Sequence, residues 1–250
     1  LLKILLIFLP NGFQNPKKIH KRAKIVYTIL NNCYLSSSGQ TDYDILLSQF
    51  TNNKMIHPDT EIQFINDQIG YGVVAKAFIP KGTITWALDN FDREITKEEY
   101  ANMGIEYKSI LDTYAYRNNR GNLVLCWDNA RFVNHSFNAN CLTTAYNFEL
   151  AVRDIQIGEQ LTDDYGYLNI DAPFEAMEEG TKRKTVYPDD LLKYHKIWDK
   201  QLLDSFQHFS KVNQPLMPFI DRKVRELAIL IEQGNYKMDS ILENYYHPES

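Results

Sequence analysis

From residue 55 onward, apolar and polar positions alternate in short, crisp runs. Ile62 and Phe64 flank Gln63, which predicts a strand over Glu61–Asn66, and the pair Gly70 and Gly72 turns the chain into a second strand over Val73–Ile79. Thr83–Trp86 follows as a third. Thr96-Lys97-Glu98-Glu99 is a capping box, in which a Thr hydroxyl and a Glu carboxylate satisfy each other's exposed amides. It opens a short helix that Gly104 can end, and Tyr107–Tyr114 forms another. Asn118–Asn122 is a turn before the strand Leu123–Trp127, and Cys141–Tyr146 with Phe148–Arg153 reads as a hairpin turning at Asn147. Many short strands with few brief helices define a β-rich α+β domain over residues 55–170.

After Asp171 the period changes. Leu191, Tyr194, Trp198, Leu202, Phe206 and Phe209 recur every three or four residues behind Pro188-Asp189-Asp190, the pattern of an amphipathic helix. Phe219, Val224, Leu227 and Ile231 mark a second helix closed by Gly234, and Met238–Tyr246 adds a third. This 171–250 region is expected to cap the β domain, with a partner-binding arm as the other reading.

Residues 1–54 have no sustained periodicity. Leu1–Leu9 is apolar apart from Lys3, about half of the ~20 residues a spanning helix needs, so no membrane span is expected. The first Met is Met55, and residues 1–54 are expected to lie outside the native folded protein or to form an N-terminal extension with its own role.

Charge sharpens the division. Residues 1–54 hold 7 basic and 2 acidic groups, net +5, whereas residues 55–170 hold 9 and 16, net −7. The folded part therefore repels phosphate backbones and attracts basic partners, which disfavours direct nucleic-acid binding. Cys33, Cys126 and Cys141 have no paired spacing, so neither a disulfide framework nor a Cys-only zinc site is indicated, and an intracellular, cytoplasmic setting is expected.

Chemistry concentrates in three segments: Gly70-Tyr71-Gly72, then Asn134-His135-Ser136 leading to Asn140-Cys141, then Glu159-Gln160-Leu161-Thr162-Asp163-Asp164-Tyr165. Singly, each has a bland reading. His135 alone would be a hydrogen-bonded core histidine, Tyr165 one packing tyrosine among sixteen, and Asp163-Asp164 a solvated pair or a metal site. Gly70-x-Gly72-x-x-Ala75 also satisfies a relaxed dinucleotide fingerprint, but that requires a helix at the glycines, and Pro80-Lys81-Gly82 arrives too soon.

Taken in order, the three segments resemble the SET-domain protein-lysine methyltransferases. The resemblance implies a SET fold of several short antiparallel sheets with a knot-like C-terminal segment, followed here by the helical region. It also implies methyl transfer from S-adenosylmethionine to a lysine side-chain amine of a basic protein substrate, with a catalytically silent SET-like binding module as the alternative. It assigns Tyr165 to catalysis, and Gly70, Tyr71, Gly72, Arg131, Asn134, His135 and Phe174 to the cofactor. Tyr167, Trp86 and Thr143 fall to the substrate channel. Many family members carry a Cys-rich, zinc-binding tail after the domain; residues 168–250 contain no Cys, so no metal is expected and Phe174 or an aromatic of the 189–209 helix must close the site. Phe137 stands where a Cys is common, Ala139 where a Pro is frequent, and Asp163 where an aromatic or apolar residue is frequent.

Overall fold

A computed structural model of the chain describes residues 55–177 and 180–247. The expectations for residues 1–54 lie outside the described residues. The β-rich part is assembled from five small sheets. Strands β1 (Thr60–Asn66) and β2 (Gly70–Ala75) form an antiparallel hairpin whose register shifts between Phe64 and Asn66, opposite Gly70. The glycines thus sit inside the second strand and not in a turn before it. No helix opens there, which removes the dinucleotide reading.

Strand β3 (Ile84–Ala87) pairs with β9 (Phe148–Ala151), which pairs with β8 (Cys141–Thr143). The β8–β9 hairpin turns at Asn147, whose φ of 61° is left-handed, as the turn reading required. A third sheet orders β4 (Arg93–Ile95), β6 (Leu123–Leu125) and β5 (Ala115–Arg117). Between them, α1 (Lys97–Ala101) starts with both halves of the capping box in place. Gly104 caps the start of α2 (Ile105–Tyr114), so it opens the second helix where the sequence suggested it would end the first.

The pairing that matters most for the site is parallel. Strand β7 (Asn134–His135) lies beside β10 (Thr162–Asp163), with Asn134 opposite Thr162 and His135 opposite Asp163. Ser136 N–H donates to Asp163 O at 2.9 Å and extends the register. The chain returns from the β8–β9 hairpin to run alongside the Asn-His strand.

Beyond a small hairpin, β11 (Phe174–Glu175) with β12 (Thr185–Val186), the chain becomes helical. Helix α3 (Asp190–Phe206) buries Leu191, Trp198, Leu202 and Phe206, as its periodicity predicted. Phe209 lies in a following 3-10 turn, and Phe219 in another before α4 (Arg222–Glu232). The third helix expected near Met238–Tyr246 is a single 3-10 turn, Ile241–Asn244. Leu191, Trp198, Leu202, Phe206, Phe209, Ile231 and Ile241 share one core with Ile84, Leu142, Phe148 and Leu150, so the helical region packs as a cap on the β3–β9–β8 sheet, whereas Phe219, expected to mark the second helix's apolar face, is exposed. Phe148, Phe206 and Phe209 are fully buried, each worth about 2–3 kcal/mol of hydrophobic transfer. Among the described residues, no helix is long and apolar enough to cross a membrane.

Candidate active site

The three motifs meet around β7 and β10. Gly72 brings the β2 backbone so close that a Cβ there would lie 2.6 Å from Gln160 Oε1 and 2.7 Å from Asn134 Nδ2. Only a glycine permits that approach. Asn134 Nδ2 donates to Tyr71 O at 3.1 Å and to Gln160 Oε1 at 3.1 Å, tying the first and second motifs to the third. Gly70 faces open space with φ +81°. One edge of the site is therefore a cradle of backbone and amide groups.

His135 connects this edge to Tyr165. Its Nδ1 accepts from Tyr165 N–H at 3.1 Å, and its ring packs against Phe137 and Phe174 with centroids 4.5 and 5.7 Å away. The His135 side chain thus orients the turn Tyr165–Tyr167. Asp164 caps that turn by accepting from Gly166 N–H, and the Tyr165 hydroxyl donates to Val133 O at 2.7 Å. Burial, with Asp163 second, holds the Tyr165 phenol above its usual range, so it stays protonated at neutral pH.

On the other side of Tyr165 lies a cavity of about 1140 Å³. Trp86, Tyr116, Thr143, Glu149, Asp163 and Tyr165 are among its walls, and Tyr167 and Phe174 reach it too. None of the β2 glycines, Asn134 or His135 lines it. Tyr165 therefore touches both the cradle, through His135, and the cavity. Trp86 and Tyr116 meet edge to face, with centroids 6.2 Å apart and planes at 90°.

The structure brings nearly every sequence-derived candidate to this locus, in two groups. Gly70, Tyr71, Gly72, Asn134 and His135 belong to the cradle, while Trp86, Thr143 and Tyr167 belong to the cavity. Phe174 touches both through His135 and Tyr165. Arg131 lies with the cavity, and its guanidinium donates to Trp127 O at 3.0 Å. Tyr116 and Glu149 escaped the sequence reading; a lone Glu within the apolar run Phe148–Val152 was the signal available for the latter.

The adjacent acids differ from both readings offered for them. Asp163 and Asp164 are 6% and 2% exposed, so they are not a solvated pair, and no group of metal-binding side chains occurs among the described residues. Asp164 is ion-paired with Arg183, which also holds Asp190 at 2.6 Å. Asp163 points the other way, toward Glu149 and Tyr167. Burial pushes both carboxyls up, and the two share a hydrogen bond. Cys126 and Cys141 are buried, which raises both thiols well above the usual range and leaves them as unreactive packing groups.

The glycine strand packed on an Asn-His strand, and the latter's parallel pairing with a segment ending in Tyr165, fall within one stretch that is similar to the SET domain. The SET domain family model matches residues 70–166, from the first glycine of the cradle to the turn holding Tyr165. No curated protein matches the chain.

Proposed function

We propose that this chain transfers a methyl group from S-adenosylmethionine to the side-chain amine of a lysine in a basic protein substrate. The observation that carries this reading is the position of Tyr165, which is anchored to the cradle through His135 and also lines the cavity. Two reactants approaching from opposite sides and meeting at one hydroxyl is the arrangement an in-line displacement needs.

The residues fit the cofactor. Both amide hydrogens of Asn134 are committed to Tyr71 O and Gln160, leaving Asn134 Oδ1 to accept from the ammonium of a methionine moiety. The open space at Gly70 admits a ligand against bare backbone, and Phe174 and Phe137 supply apolar faces for a purine. When bound, S-adenosylmethionine supplies an electrophilic methyl carbon on a sulfonium. The protein's part is then positional. Tyr165 holds the incoming amine, Trp86 and Tyr116 wall its alkyl stem, and the buried setting favours the neutral amine over the ammonium.

The cavity also suits a basic substrate. Each Lys or Arg in its lining is already engaged: Lys97 on Tyr246, Arg117 on Asp171, Arg120 on Glu94 and Arg131 on backbone carbonyls. The test is incubation of the purified chain with methyl-labelled donor and a panel of Lys-rich proteins, read by mass spectrometry. A lysine carrying the labelled methyl is the expected result; donor binding without any transfer would instead favour a silent binding module.

A further inference from the structure

We infer that Glu149 and Asp163 form an ammonium-binding, proton-accepting floor to the cavity, which selects a primary amine and takes up its proton before methyl transfer. This rests on the function proposed above and adds a role for two acids beside Tyr165.

The geometry comes first. Glu149, on β9, and Asp163, on β10, are brought together by different parts of the chain, and both line the cavity. They are 9% and 6% exposed. Asp163 Oδ1 and the Tyr167 hydroxyl each lack a well-aligned hydrogen-bond partner among the described residues, although they lie close enough to act on each other. Buried polar atoms without partners are costly, so an acceptor left open at the floor of a cavity marks a place for a donor. Trp86 and Tyr116 stand beside it with the aromatic surface that cations favour.

The charge balance points to the same ligand. The charged groups acting on the pair are Asp128 and Asp164, both acids, while the phenols of Tyr165 and Tyr167 and the thiols of Cys126 and Cys141 are held protonated by burial. Among the described residues, no ion pair reaches Glu149 or Asp163. Two carboxyls in contact in a dry site retain one proton between them and a single negative charge. An ammonium group supplies the missing cation together with three donors. The proton then leaves the ammonium nitrogen for a carboxylate oxygen of the pair, an N–H bond breaking as an O–H bond forms. The freed lone pair attacks the methyl carbon, whose bond to sulfur breaks with its electrons remaining on sulfur. An acid in place of an apolar residue at position 163 is thus a feature of the chemistry.

The experiment uses the full chain without donor, and n-butylammonium as the probe for a lysine tip, with 1-pentanol as a neutral control of similar length. NMR titration near pH 7 should show butylammonium binding that weakens at least tenfold in Glu149→Gln, and pentanol binding that is weaker and indifferent to the substitution. Equal butylammonium affinity in wild type and Glu149→Gln, or pentanol binding as well as butylammonium, overturns the inference. Asp163→Asn replaces Glu149→Gln should the latter fail to melt cooperatively. A parallel titration with S-adenosylmethionine separates the two proposals: amine selectivity without donor binding sinks the function, and donor binding without amine selectivity sinks the acid floor.

Discussion

The Arg183 guanidinium clasps the carboxylate of Asp164, the residue immediately before Tyr165, and with its other edge holds Asp190 at the start of α3. It is flanked by Phe137 and Tyr194, with ring centroids 4.5 and 4.4 Å away. Burial alone would lower the guanidinium's pKa, yet the two carboxylates carry it upward. A segment well beyond the SET motifs thus locks the tyrosine turn to the helical cap.

Arg183→Met should therefore strand two carboxylates that are 2% and 1% exposed at their side chains. Breaking a buried pair by removing one partner costs about 3–5 kcal/mol. Urea unfolding should show a loss of that order, and turnover should fall as the turn holding Tyr165 loosens. A variant as stable as wild type would mean that the clasp contributes nothing net.

Tyr165→Phe removes one oxygen and leaves Val133 O without its donor. If the hydroxyl shapes the field at the transferred methyl, single-turnover rate should drop by about 10²–10³, or roughly 3–4 kcal/mol. Donor affinity should move far less. Asn134→Ala should do the reverse, weakening the donor first, because Asn134 belongs to the cradle. A Phe variant within about threefold of wild-type turnover removes Tyr165 from the mechanism.

Gly72→Ala tests the cradle itself. The new methyl would collide with the ends of the Asn134 and Gln160 side chains, at 2.7 and 2.6 Å. Both are flexible tips, so the strand can survive while Asn134 swings off Tyr71 O. Losing one such hydrogen bond at the ligand, worth about 1–1.5 kcal/mol, should weaken S-adenosylmethionine about tenfold with little change in melting temperature. Unchanged donor affinity would place the cofactor elsewhere.

The acid pair makes a prediction about pH. Burial, largest first, raises both Glu149 and Asp163 in the folded state. Between the unfolded carboxylate value of about 4 and those raised values, the folded chain binds more protons than the unfolded one. Stability contributed by the pair is therefore lost as pH rises through that window. Glu149→Gln removes one such group, so its stability relative to wild type should increase from pH 5 to pH 8 in chemical denaturation. A difference that stays flat or shrinks with rising pH contradicts the assignment.

The change in patterning and charge at residue 55 yields a last expectation. A chain beginning at Met55 should melt cooperatively and bind the donor like the full sequence. It retains the bonds from Ala87 N–H to Met55 O and from Ile56 N–H to Asp128 that seat this segment. Loss of the cooperative transition would assign residues 1–54 to the fold.

What the sequence disclosed follows the range of the forces involved. The Thr96–Glu99 capping box and the Asn147 turn are decided within a few residues, and both are present as read. The face of α3 was legible because its core contacts repeat with the helical period. Gly104 was misread because a missing Cβ serves a helix start as well as a helix end. Asp163 and Asp164 looked like neighbours sharing water, yet successive side chains of an extended strand point to opposite faces. One meets Arg183 and the other Glu149, partners set by topology alone. The same distance in sequence hid Tyr116 and Arg183, while the three motifs could be read together because their order identified the fold.

The parallel pairing of Asn134–His135 with Thr162–Asp163 has a consequence for how the protein comes to exist. The intervening chain forms its own hairpin, Cys141–Ala151, so the returning strand closes a non-local contact. Non-local closure of this kind is slow relative to helix or hairpin formation. The groups around Tyr165, from His135 to Asp164, are brought together by that pairing. A nascent chain that has emerged only as far as the hairpin holds the glycine strand and the Asn-His strand but lacks Tyr165 and the turn that supports it.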